Sequence, residues 1–317
     1  METNGTRPIR VFSGNSNPQL AQDICEYLGI PLGRSQSFQF SEGSTYVKIE
    51  ENVRGCDVFI IQSGAHPVND HLVELLFLID ACRRASAASV TAVIPQYPYT
   101  KGDKKDEPRV SIRARVVAEL IETVGADRVL TIDLQPPQIQ GFFRIPVDNL
   151  YALPVFCDYI KEQGLTNVVV ASPDMGSVKL ARNFARQLDS DVVIGDKERI
   201  DHSEQVVIMD IVGNVEGKNV LIVDDMIMSG GTICAMAKEL ERRGALRIFA
   251  CVTHGLLSPA TVQNVAESPI ESLMLTDTLS LRPDCQHPKI VQRSVAKLFG
   301  EAIKSIHEGT SISRLFV

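Results

Sequence analysis

Val220-Leu221-Ile222-Val223-Asp224-Asp225-Met226-Ile227-Met228-Ser229-Gly230-Gly231-Thr232 is the stretch whose reading decides the fold. Four consecutive aliphatic residues read as a buried strand, two carboxylates mark its end, and a Ser-Gly-Gly-Thr turn opens a segment with helical spacing. The glycines let the backbone turn tightly and bring its N–H groups near a phosphate. Ser229 and Thr232 add hydroxyl donors, and the helix N-terminus presents a positive dipole end. Asp224 and Asp225 stand at the carboxyl end of the strand, where α/β folds place ligands, and can accept hydrogen bonds from the adjacent hydroxyls of a ribose. The plainer alternative is a strand-to-helix turn whose acids only cap the next helix. Paired acids followed by Ser-Gly-Gly-Thr are hard to obtain that way.

Working outward, the same pattern recurs: a short run rich in Val and Ile, a loop, then apolar residues three and four apart. The clearest runs are 57–62, 90–95, 128–134, 167–171, 220–224 and 247–253. Between them, 71–84, 112–124, 177–188, 232–243 and 294–306 carry the stripe of a helix packed on a sheet. Asn17-Pro18 signals a further helix start, with Asn able to cap and Pro suited to the first position, and Gly29 ends that helix. The fold class is α/β. A boundary is expected near 147–152, after the turn-rich Gln135-Pro136-Pro137, giving domains 1–149 and 150–317, with the C-terminal tail packed back onto the first. VLTIDL at 129–134 is loosely echoed by VLIVDD at 220–225.

With 317 residues the chain exceeds what one hydrophobic core usually serves, which favours two domains. A net charge of -7 argues against nucleic acid or an anionic membrane as the main partner, since phosphate backbones demand clustered Lys and Arg. No stretch reaches the roughly 20 apolar residues of a membrane span, and the polar start METNGTRPIR lacks a signal-peptide core, so a cytoplasmic protein is expected. Seven cysteines without any C-x-x-C pair fit neither a disulfide framework nor a zinc site and read as reduced, buried hydrophobes.

The run at 220–232 resembles the phosphoribosyl pyrophosphate loop of type I phosphoribosyltransferases and of the related ribose-phosphate pyrophosphokinases. Phe12-Ser13-Gly14-Asn15, Glu51-Asn52-Val53-Arg54-Gly55, Ile139-Gln140-Gly141-Phe142-Phe143, Pro146-Val147-Asp148-Asn149, Ser172-Pro173-Asp174, Asp196-Lys197-Glu198-Arg199 and Thr253-His254-Gly255 match the pyrophosphokinases in order and spacing. That resemblance, over about residues 9–317, implies two tandem phosphoribosyltransferase-like domains, each a mainly parallel sheet flanked by helices. It implies transfer of the diphosphoryl group of ATP to ribose 5-phosphate, giving phosphoribosyl pyrophosphate and AMP for nucleotide biosynthesis, with Mg2+ as cofactor. It also implies nucleotide or phosphate effectors and a homo-oligomer, dimers assembled into hexamers.

Residue by residue, the resemblance makes Lys197 and Arg199 catalytic, on a polar stretch (195–204) that reads as a loop able to close over substrate; composition alone reads it as a solvated charged loop. Asp174 matches a contact to magnesium and to ribose phosphate, a role compatible with capping a helix. Asp174, Asp224, Asp225, Met228, Ser229, Gly230, Gly231 and Thr232 form the implied ribose 5-phosphate site, and Phe40, Glu42, Ser44, Lys101, Gly102 and Asp103 the implied ATP site. Phe40 matches an aromatic that stacks on adenine, although a lone Phe reads equally well as core.

The departures from the family pattern cluster on the ATP and metal side. Gln135 stands where the family has a metal-binding His, offering a carbonyl oxygen instead of an imidazole. Lys101-Gly102 replaces Arg-Gln, trading a planar fork of donors for a point charge. Ser44 and Met228 each replace an acid, and Arg144 stands where an acid is common. Two readings follow: an active pyrophosphokinase with an altered nucleotide site, or a non-catalytic, regulatory subunit that keeps pentose phosphate binding. A phosphoribosyltransferase acting on a base is disfavoured, because that family does not need the paired domain.

Overall fold

The computed structural model describes residues 7–199 and 206–315. The chain divides into two compact units: one as far as Tyr151, with Thr278–Ser280 and the stretch from Val295, the other Ala152–Asp277 with Leu281–Ser294.

The first unit runs β1 (Ile9–Ser13), α1 (Pro18–Leu28), a hairpin of β2 (Ser35–Gln39) and β3 (Thr45–Ile49), β4 (Asp57–Ile61), α2 (Val68–Arg84), β5 (Ser89–Val93), α3 (Arg113–Thr123), β6 (Arg128–Ile132) and β7 (Val147–Leu150). Its five-stranded sheet has the order β1-β4-β5-β6-β7, every neighbour parallel. β4 is buried on both faces, as its unbroken apolar run requires. Leu75, Leu78, Ile79 and Cys82 of α2 repeat at helical spacing and pack on that sheet, the three aliphatic side chains each worth about 1.5–3 kcal/mol if fully buried. α1 begins as its sequence dictates: the Asn17 side chain accepts from the Leu20 amide at 3.3 Å, and Gly29 closes the helix at φ 67°.

The second unit runs α4 (Leu153–Glu162), β8 (Val168–Ser172), α5 (Val178–Leu188), β9 (Val192–Arg199), β10 (Val206–Val212), β11 (Asn219–Ile227), α6 (Gly231–Arg242), β12 (Arg247–Gly255), α7 (Pro259–Ala266), β13 (Ser272–Thr276) and β14 (Ile290–Arg293). Its sheet has the order β10-β9-β8-β11-β12-β13-β14, parallel except where β10 returns antiparallel along β9. Val220, Leu221, Ile222 and Val223 of β11 are at most 1% exposed, and Val220 and Ile222 belong to the core cluster that packs on one face of this sheet.

The chain then returns to the first unit through α8 (Ala296–His307), which packs on α1. A Cβ at Gly300 would lie 2.3 Å from the Tyr27 ring, so glycine lets the two helices approach. His307 Nδ1 lies 2.9 Å from Asp57 Oδ2 on β4, fixing the far end of the helix.

All seven cysteines are buried and unpaired. One expectation is corrected. Residues 195–199, read from their polarity as part of a loop, are the second half of β9, where pairing with β10 satisfies the backbone whatever the side chains.

Candidate functional site

The sheet of the second unit reverses its winding between β8 and β11. From β8 the chain moves to β9 on one side, and from β11 to β12 on the other. α/β sheets bind ligands at such a switch point, outside the carboxyl ends of the strands. β11 pairs with β8 only as far as Ile222↔Ala171, yet continues along β12 to Ile227↔Gly255. One edge of β11 therefore leaves its β8 partner from Val223 onward, and Asp224 and Asp225 sit on this part.

β8 ends at Ser172, and Asp174 follows in the short link to α5. One oxygen of Asp174 accepts from the amides of Gly176 (2.9 Å) and Ser177 (3.2 Å), which holds the carboxylate at the start of α5. Ser177, which sequence reasoning did not single out, donates its hydroxyl to Asp224 Oδ1 at 2.8 Å. Burial, then the charge of Asp225 and its hydrogen bond, push the Asp224 carboxyl up to about 8; Asp174 acts in the same sense and the Ser177 hydroxyl against it. Three acids are thus gathered where a cation or hydroxyl donors would relieve their repulsion.

Beyond the acids, the strand passes into the turn at 228–230 and α6. Met228 is 52% exposed, while Ser229 and Thr232 are half-buried. Gly230 is the N-cap of α6 at φ 78°, a left-handed conformation that side-chain-bearing residues adopt at a cost, and no side chain caps this helix. The first amides of α6 are accordingly those that helix geometry leaves without an intrahelical acceptor. An anion there meets N–H groups and the positive end of the helix.

Lys197 and Arg199 lie on the second half of β9, opposite Ile208 and Val206 of β10. Their side chains fall outside the described residues, as do residues 200–205.

The other candidates stand in the first unit. Phe40 opens the turn of the β2–β3 hairpin and is 46% exposed, so it is not a core residue. Its ring meets Phe38 edge-on at 5.2 Å and Tyr46 at 5.9 Å, and Phe38 and Tyr46 are 5.0 Å apart, an aromatic platform of which sequence reading found one member. In the same turn the Ser44 hydroxyl donates to Glu42 at 2.5 Å, lowering the Glu42 carboxyl below its usual value.

Lys101, exposed, and Gly102, buried, belong to a single 3-10 turn after β5, with Asp103 next. A Cβ at Gly102 would lie 2.4 Å from Arg113 Nε and 2.9 Å from Arg113 Cβ. The Arg113 guanidinium, which also reaches the Lys101 carbonyl at 3.5 Å, fills the space a side chain at 102 would use. Half-buried Gln135 follows β6, two residues after Asp133, which is held at φ 43°. Asp174, Asp224, Asp225 and 228–232 are therefore gathered in one unit, and the implied nucleotide residues and Gln135 in the other.

Comparison with known proteins adds the following. Residues 9–125 match the family model for the N-terminal domain of ribose phosphate pyrophosphokinase, and residues 201–317 the one for a phosphoribosyl synthetase-associated domain. The chain is 48% identical over 309 residues to a ribose-phosphate pyrophosphokinase of Nostoc sp., covering 97% of this chain and 93% of that protein. It is 48% identical over 312 residues to one of Caldanaerobacter subterraneus subsp. tengcongensis, covering 98% of each. Among solved structures, phosphoribosylpyrophosphate synthetase from Mycobacterium smegmatis superposes with a TM-score of 0.88 at 36% identity, covering 96% of this chain and 100% of that one.

Proposed function

The chain belongs to the ribose-phosphate pyrophosphokinase family, and we propose that it transfers the diphosphoryl group of ATP to the C1 hydroxyl of ribose 5-phosphate. The hydroxyl oxygen attacks the β-phosphorus and gives up its proton to solvent, the bond from that phosphorus to the oxygen shared with the α-phosphate breaks, and AMP leaves. The observation that carries this reading is the pairing of a crowded acidic strand end with the uncapped start of α6. Asp224 and Asp225 accept from the ribose hydroxyls, while the turn from Met228 to Thr232 grips the 5-phosphate through main-chain amides. Orientation is most of what such a transfer asks of a protein, together with positive charge about the moving group, which Lys197 and Arg199 supply.

The nucleotide falls to the first unit, its adenine against Phe40 and its polar groups met by Glu42, Ser44, Lys101, Gly102 and Asp103. Magnesium fits the acids present. Burial and, after it, the charge of Asp225 raise the Asp224 carboxyl, and a hard cation would offset the second; magnesium keeps waters and phosphate oxygens as most of its ligands, so one or two protein carboxylates suffice. Asp174 would hold it, and when bound it would neutralise charge on the phosphates.

No helix among the described residues is long and apolar enough to cross a membrane. A cytoplasmic homo-oligomer, dimeric to hexameric and responsive to nucleotide or phosphate effectors, completes the reading. A second reading, a non-catalytic subunit that binds pentose phosphate, is favoured by Gln135 and by the packing of Arg113 into the space beside Gly102. One experiment decides: protein with magnesium, ATP and ribose 5-phosphate is assayed for AMP. Formation well above a Lys197→Ala control supports turnover, and none above that control rejects it.

A further inference from the structure

We infer that Thr261 and Asn264 of α7 are positioning residues for the turn at 228–231: side chains that touch no substrate and fix the direction in which its amides point. The inference rests on the reading of that turn as the ribose 5-phosphate site. Four successive carbonyls, from Ile227 at the end of β11 to Gly230, are tied down by protein donors. The Ile227 oxygen accepts from the Leu256 amide at 2.9 Å and the Met228 oxygen from the Thr261 hydroxyl. The Ser229 oxygen accepts from Asn264 Nδ2 at 3.0 Å, and the Gly230 oxygen from the Cys234 amide at 2.9 Å. In a planar trans peptide the C=O and the following N–H point in opposite directions. Tying the carbonyls of 228 and 229 to α7 therefore turns the amides of 229 and 230 away from it, and successive amides facing one way make a concavity for an anion.

The tie is built to hold. Thr261 is fully buried, and its branched side chain is stiff about χ1. Its single hydroxyl proton goes to the Met228 carbonyl, which can only accept, so the contact to Ser258 Oγ at 2.9 Å has Ser258 as donor. Ser258 Oγ in turn accepts from the Thr261 amide at 3.2 Å, the capping box that opens α7. The hydroxyls thus run in one direction, Ser258 to Thr261 to Met228, an alignment in which each bond polarises the next. The Thr261 methyl also lies 3.4 Å from where a Cβ of Gly230 would stand, bracing the left-handed residue from below. Asn264 is exposed and serves no cap, so its contact to the turn can be removed without disturbing a core.

Three variants test the inference: Asn264→Ala, Thr261→Val and Thr261→Ser. Binding of ribose 5-phosphate and of inorganic phosphate is followed by calorimetry, and KM and kcat by AMP formation, with melting curves to establish folding. Loss of either tie is expected to weaken ribose 5-phosphate binding about two- to tenfold, the net worth of one hydrogen bond. KM for ATP and kcat should change less than about twofold, because a loop that grips a distant phosphate binds ground and transition states alike. Thr261→Ser, which keeps the hydroxyl, should bind near wild type. Unchanged binding in Asn264→Ala, or Thr261→Ser as weak as a folded Thr261→Val, overturns the positioning role. If Thr261→Val does not fold, Asn264→Ala decides. A wild-type protein that binds no ribose 5-phosphate sinks the reading of the turn itself, an outcome distinct from variants that bind as well as wild type.

Discussion

Gly230→Ala and Gly29→Ala impose the same backbone strain at two places, and only one of them should affect the ligand. Both glycines are left-handed, φ 78° at Gly230 and φ 67° at Gly29. Neither substitution meets a steric obstacle: an added Cβ at Gly230 would come no nearer than 3.4 Å to another heavy atom, and at Gly29 nothing lies within 4 Å. The cost is therefore conformational, about 1–2 kcal/mol for an alanine held left-handed. Each variant should melt lower by about 2–4 °C for every kcal/mol lost. Gly29 closes α1 in the first unit and is no part of the proposed ribose 5-phosphate site, so Gly29→Ala should keep its ribose 5-phosphate affinity. At Gly230 the strain falls on the amides to which the proposed function assigns the 5-phosphate, and relieving it rotates them. Losing one charge-assisted hydrogen bond, worth about 1.5–3 kcal/mol, weakens binding about tenfold or more. Calorimetric titration with ribose 5-phosphate beside thermal melts separates the two effects. Equal affinities in the two variants, both destabilised, would refute the assignment of the 5-phosphate to this turn.

Two further outcomes are expected. A raised carboxyl pKa means that the folded state holds a proton the unfolded chain has released, so the ligand-free, metal-free protein should lose stability as pH rises from about 4 to about 8, by at most about 1.4 kcal/mol per pH unit from Asp224. Asp225→Asn removes the second cause of that shift, so its melting temperature in chelator should fall less between pH 5 and 8; an unchanged slope would contradict the coupling of the two acids. Gly102→Ala should destabilise by about 1–3 kcal/mol through overpacking against Arg113, and Arg113→Ala should relieve most of it in the double variant; additive losses by chemical denaturation would show that the two positions do not touch.

Much of the second unit's site was legible because its signal is local. Strand, acids, turn and helix follow one another within 13 residues, and each step has a short-range cause: aliphatic burial, carboxylate at a strand end, glycine at the turn. Helix ends were legible for the same reason, as Asn17 and Gly29 around α1 illustrate. The reading failed where local polarity and long-range pairing disagree. Residues 195–199 look like loop, yet β10 supplies their hydrogen bonds from across the hairpin. Phe40 could not be assigned to core or surface until the hairpin placed it beside Phe38 and Tyr46. Ser177 carried a faint signal, three residues beyond Asp174 at a helix start, and Thr261 and Asn264 carried none.

The amino-acid order by itself therefore determined the α/β class, the central strand and the glycine turn that opens α6, since these depend on interactions between near neighbours in the chain. Only the tertiary structure decided which other side chains meet them. Asp174 and Asp224 come together because β8 and β11 pair in register across 50 residues, from Asn219↔Val168 onward. The turn is held because α7, about 30 residues later, lays Thr261 and Asn264 against its carbonyls. Such contacts are set by the packing of whole elements on a shared core, and no span of sequence short enough to read locally contains both partners.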